Sequence, residues 1–256
     1  MVVIIYSENE LSGLIPDEVV AILRLTSLSL HSNKFEGPLP RSLTTLRLLQ
    51  HFSSDLLPFA ADDDFEKVFD YVNAHASDEL LDKSNDSDDY NSNVIEEQDN
   101  LLSALKSFGG DADSMNWFKC DPGDTMVEWT GVNFDRQGCV MSLILADMDL
   151  GIGNEFPESI EYLSNMVYLD LSHNSLGGGI PIEVMRLVHL QYLYLNNNNF
   201  TGVIPPDIGQ LESLKTLNLS ENKLNGQLES SLSALESLST FRLSNNNLEG
   251  MIIIYN

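Results

Sequence analysis

The stretch Met166–Pro181, MVYLDLSHNSLGGGIP, sets a pattern that the chain then repeats. Its apolar positions are Met166, Leu169, Leu171, Leu176 and Ile180, with Asn174 among them. The next unit places Leu190, Leu193, Leu195, Asn198, Phe200 and Ile204 at the same offsets. The third has Leu214, Leu217, Leu219, Asn222, Leu224 and Leu228; the fourth has Leu238, Phe241, Leu243, Asn246, Leu248 and Ile252. The asparagines at 174, 198, 222 and 246 are each 24 residues apart. A period in this range means a solenoid, because a unit this small buries its apolar face only by stacking on its neighbours. Leu169 and Leu171 alternate, so they point to one side of a short strand. Burying each such leucine contributes roughly 1.5–3 kcal/mol. Asn174 falls where the chain leaves the strand, and its short amide suits the backbone groups that a buried turn would leave unpaired. Stacked asparagines then form a ladder along the solenoid. These positions explain the fold and carry no function directly.

The pattern L-x-x-L-x-L-x-x-N is that of leucine-rich repeats. Each asparagine is followed by x-L-x-G-x-I-P, as in LGGGIP at 176–181 and FTGVIP at 200–205. Glu229 and Ile253 stand at the proline offset of the last two units. This resembles the plant-type leucine-rich repeat of receptor-kinase ectodomains and polygalacturonase-inhibiting proteins. The resemblance implies an α/β fold: a right-handed solenoid with a parallel sheet on its concave face.

Residues 1–57 already read as repeats. Asn9 is followed by Leu11, Gly13, Ile15 and Pro16, and Asn33 lies 24 further on within its own set of Leu25, Leu28, Leu30, Phe35, Gly37, Leu39 and Pro40. Counted back from Asn9, Met1, Ile4 and Tyr6 take the core offsets. A third unit starts at Leu49 and Phe52, but its asparagine offset falls on Leu57. Residues 58–93 form an acidic linker, with a short helix expected at 62–75 from the spacing of Phe65, Val68, Phe69 and Val72. Asp86 and Asp88 invite a calcium-loop reading, but the turn glycine and closing glutamate are missing from their offsets, so a solvated linker is the better account.

Residues 94–147 change again. Leu101, Leu102, Leu105 and Phe108 share a helical face, and Trp117, Cys120, the WTGV run at 129–132 and the strand VMSLIL at 140–145 follow. This resembles the plant-type N-terminal cap that precedes such repeats, here lying mid-chain. The family's cysteine pair would fall on Val127 and Phe134, where an apolar contact is one substitute for the bridge. A Cys120–Cys139 bond is the other, and sequence separation alone does not decide the geometry. Repeats then run through 148–256, beginning with an irregular unit that has Met148 at the asparagine offset and Gly151 and Gly153 in a bulged loop. With the cap in the middle and a cut repeat at each terminus, two explanations stand. The chain joins pieces of two repeat genes, or it folds as one permuted solenoid in which residues 1–57 stack on the end left by 238–256.

The net charge of −26 argues against nucleic acid and anionic membrane as partners. No apolar run spans a membrane, and MVVIIY lacks the flank and length of a signal peptide. The histidines at 31, 51, 75, 173 and 189 are scattered without metal spacing, and no nucleophile motif or phosphate loop occurs, so no enzyme, metal or cofactor is expected. In the fold that the resemblance implies, residues between the leucines form columns on the concave face. These columns are Ser142, Tyr168, Tyr192, Thr216, Thr240; Ile144, Asp170, Tyr194, Asn218, Arg242; and Ala146, Ser172, Asn196, Ser220, Ser244. The candidate ligand-binding residues are Tyr168, Asp170, His173, Tyr192, Tyr194, Asn196, Asn218 and Arg242, since Tyr and Arg are enriched where interfaces derive their energy. Sequons at Asn85, Asn199 and Asn218 are candidate glycosylation sites. The expected function is recognition of a protein or peptide, receptor-like or inhibitor-like, in an extracellular or membrane-associated setting by resemblance. The alternatives are a structural or intracellular scaffold, with self-association through uncapped ends, or a truncated gene product.

Overall fold

The computed structural model describes residues 2–21, 25–46, 48–54, 101, 103, 130–134, 139–151 and 157–251. The expected linker helix, the calcium-loop aspartates, Asn85, Trp117, Cys120 and Trp129 lie outside them. Among the described residues the strands are β1 (Val2–Ile5), β2 (Glu10–Gly13), β3 (Leu25–Ser29), β4 (Lys34–Phe35), β5 (His51–Ser53), β6 (Val132–Phe134), β7 (Val140–Ile144) and β8 (Tyr168–Asp170). They continue with β9 (Gly177–Gly178), β10 (Tyr192–Tyr194), β11 (Asn199–Gly202), β12 (Thr216–Asn218), β13 (Lys223–Gln227), β14 (Thr240–Arg242) and β15 (Asn247–Gly250).

Two sheets result. The long one has nine strands in the order β5-β3-β1-β14-β12-β10-β8-β7-β6, and the second has six in the order β4-β2-β15-β13-β11-β9. Within each regular repeat the first strand joins the long sheet, the chain turns at the asparagine, and the next strand joins the second sheet. A short 3-10 turn follows, as at Ile182–Arg186 and Pro206–Gln210, each entered from an extended proline. Pro181 and Pro205 suit this entry because their fixed φ already lies near the extended and turn regions. The leucines of the pattern fill the space between the layers. Leu169, Leu193, Leu217, Leu190, Leu195 and Leu243 have no exposed surface.

The asparagine ladder is present in full bonding detail. Asn222 donates from Nδ2 to the carbonyls of Leu219 and Ser220 in its own turn and of Leu195 in the preceding repeat. Its Oδ1 accepts the amide of Phe200 at 3.0 Å. Asn198 and Asn246 repeat this set one unit down and one unit up.

The same set continues into the first residues of the chain. Asn9 donates to Tyr6, to Ser7 and, at 3.0 Å, to the carbonyl of Leu243, and accepts the amide of Leu248 at 3.1 Å. β1 pairs with β14 in parallel, with Val3, Ile4 and Ile5 opposite Thr240, Phe241 and Arg242. β2 pairs with β15 likewise. The rings of Tyr6 and Phe241 meet edge to face there at 5.7 Å, both buried. β14 is thus paired on both sides, with β1 and with β12.

Two local features differ from a uniform repeat. β6, in the cap-like segment before the repeats, runs antiparallel to β7, while the repeat strands of the long sheet pair in parallel. Only residues 135–139 connect the two strands, and so short a link cannot make the crossover that parallel pairing needs. The irregular first unit also has a steric reason for its glycine. Gly151 sits at φ +95°, where a Cβ would fall 2.6 Å from Leu176 Cα.

Replacing Asn222 by alanine strands an amide and three carbonyls at a buried turn. The expected loss is about 2–4 kcal/mol of unfolding free energy, measured by denaturant titration of the full chain.

Candidate functional site

The register of the long sheet places the expected columns side by side. Ser142, Tyr168, Tyr192, Thr216 and Thr240 are successive cross-strand partners, and so are Ile144, Asp170, Tyr194, Asn218 and Arg242. Their side chains project from the face opposite the leucines, because neighbours along a strand alternate.

The tyrosines come together. Tyr168 and Tyr192 face each other across the strand pair with ring centroids 5.5 Å apart, and Tyr168 reaches the diagonal Tyr194 at 5.5 Å as well. The ring planes are tilted by 35° and 37°, and aromatic pairs at such distances add about 0.5–1.5 kcal/mol each beyond burial. All three tyrosines are half-buried, so part of each stays open to solvent. Asp170 is in register with Tyr194, and its Oδ1 accepts the Ser172 amide at 2.9 Å and the Ser172 hydroxyl at 2.6 Å. That carboxylate is therefore held in place. Burial pushes the Tyr168 phenol up to about 12, and Tyr194 and Asp170 reinforce the shift.

The remaining candidates lie around this cluster. Asn218 follows Tyr194 in register, and its Oδ1 accepts the Ser220 amide at 3.2 Å. Arg242 is exposed on β14, three strands from Asp170, so it does not join the cluster; at ~4.8 Å per strand the separation is about 14 Å. Asn196 bonds to Asn197 at the following turn. His173 is exposed at that turn with φ 55°, a left-handed conformation repeated at Asn197, Glu221 and Asn245. Asn199 lies exposed on the second sheet, where its Oδ1 accepts a bond from Lys223. Cys139 is buried.

The face extends further than the columns read from 140–256. Val3, Ser27 and His51 continue the first row beyond Thr240, and Ile5, Ser29 and Ser53 continue the second beyond Arg242. The signal for them was available: Ile5 precedes Asn9 by the same offset that separates Arg242 from Asn246. Among the described residues no group of three or more His, Cys, Asp or Glu is placed to hold a metal ion. No helix among them is long and apolar enough to cross a membrane.

Comparison with known proteins agrees with the geometry. The family described as Leucine rich repeat matches residues 188–248, and also 24–46 and 165–187. The BIR2 ectodomain from Arabidopsis thaliana is 32% identical over 59% of this chain and 81% of its own, with a TM-score of 0.53. The chain belongs to the plant-type leucine-rich-repeat proteins. A second solved structure, the BIR3–SERK2 complex from the same plant, is 31% identical over 61% of this leucine-rich-repeat chain and 83% of its own, with a TM-score of 0.54. No curated protein matches the sequence. The leucine-rich-repeat fold makes the long sheet the concave face and the second sheet part of the opposite flank.

The raised Tyr168 phenol has a consequence at high pH. Above the ordinary value of 10.0 the unfolded phenol ionises while the folded one stays neutral. Stability therefore falls as pH rises from about 10 toward about 12. Burial raises the Tyr6 phenol too, so both tyrosines add to the slope. Denaturant titrations across this range should show a shallower decline in Tyr168→Phe than in the unsubstituted chain.

Proposed function

We propose that this chain is a non-enzymatic recognition module of the receptor-like or inhibitor-like kind, working outside the cell and binding a protein or peptide on its concave face. The observation that carries this reading is the contact of Tyr168, Tyr192 and Tyr194 on the long sheet, in one continuous face with Asp170, Asn218 and Arg242. Rigid aromatic side chains on an ordered sheet lose little entropy on binding and supply large contact area, which is why such residues anchor interfaces. The family supports the same reading. Of the relatives named above, one is solved as an ectodomain and the other in complex with a partner protein. A glycan on Asn199, exposed on the second sheet, leaves that face clear, whereas one on Asn218 would obstruct it.

Peptides selected from a displayed random library against the full chain test the assignment. Tyr192→Ala and Tyr194→Ala, each checked for native circular dichroism, should weaken the selected peptides at least about tenfold. Lys223→Ala on the second sheet should leave them unchanged. Peptides that bind the tyrosine variants normally and lose affinity to Lys223→Ala would contradict the concave-face assignment.

A further inference from the structure

We propose that Tyr168, Tyr192, Tyr194 and Asp170 form a cation subsite that takes a lysine or arginine side chain of the ligand peptide. This rests on the concave face being the ligand-binding face. Tyr168 meets Tyr192 and Tyr194 with ring centroids 5.5 Å apart, all three residues are only half-buried, and aromatic faces attract cations through the ring quadrupole. Asp170 stands at the margin of the same cluster. Among the described residues its hydrogen bonds, from the Ser172 amide and hydroxyl, fall on Oδ1, so these contacts orient the carboxylate.

Among the described residues no Lys or Arg is a register neighbour of Asp170. The register neighbours of Asp170 are Ile144 and Tyr194, and the arginine of its row, Arg242, is three strands away. The ion pairs among the described residues, Lys34 with Glu10 and Arg186 with Glu161, are elsewhere. The negative potential is felt locally, since Asp170 helps to raise the Tyr168 phenol, and globally, since the chain carries a net charge of −26. An anionic side chain is opposed at this point by every one of these terms. A purely apolar side chain would use the rings and leave Asp170 idle.

The probes are N-acetyl-arginine methylamide and its neutral isostere N-acetyl-citrulline methylamide, titrated into the full chain carrying carbon-13 tyrosine. Single Tyr→Phe variants assign the resonances. The arginine amide should give saturable shifts at Tyr168, Tyr192 and Tyr194, with the citrulline amide at least about fivefold weaker. Asp170→Asn should reduce the arginine effect and leave the citrulline effect unchanged. Equal shifts from both probes, insensitivity to Asp170→Asn, or no saturable shift would each overturn the subsite. Peptides selected as above provide the separating control. If their binding depends on Tyr192 but tolerates citrulline in place of every basic residue, the cation subsite fails and the concave-face reading stands.

Discussion

Each regular turn out of the long sheet, at Asn9, Asn33, Asn174, Asn198, Asn222 and Asn246, depends on one asparagine side chain. Backbone amides and carbonyls at these turns are buried, and burial without a partner is costly. An asparagine amide has two donors and an acceptor in a compact group, enough to bond its own turn and reach the neighbouring repeat. Asn222 donates to the Leu195 carbonyl and accepts the Phe200 amide, both in the preceding repeat. Because each asparagine serves two repeats, the ladder fixes their spacing as well as their turns, and the leucine layers then meet in register.

That constraint explains how residues distant in sequence join one structure. The turn at Asn9 presents the same donors and acceptor as the turn at Asn246, so β1 docks on β14 as any repeat docks on the one before it. Tyr6 and Phe241 stand where other repeats have leucine, and their edge-to-face contact fills this step. The long sheet gains three further strands, and with them Ile5, Ser29 and Ser53 extend the outward row that contains Asp170, Tyr194 and Arg242. A regular ladder thus turns short sequence units into a single broad face, on which residues 24 apart become immediate neighbours.

Much of this was legible in the sequence because the side chains that set the fold recur at fixed offsets. Leu169, Leu193 and Leu217 are buried where the period placed them, and Tyr168 meets Tyr192 because both precede those leucines. Diagonal contact between Tyr168 and Tyr194 was not legible, since it depends on ring orientation and not on register. Neither was the antiparallel β6, which obeys the length of a short connection and lies outside the repeat. The fixing of Asp170 by Ser172 also escaped the period, being a local bond between residues two apart.

Amide hydrogen exchange tests the continuity of the ladder most directly. The Leu248 amide donates to Asn9, as the Leu224 amide donates to Asn246 and the Phe200 amide to Asn222. If the ladder runs unbroken from Asn246 to Asn9, protection at Leu248 should lie within about tenfold of that at Leu224 and Phe200. Free exchange at Leu248 beside strong protection at Leu224 and Phe200 would contradict the account, because the first repeats would then not be seated on the last.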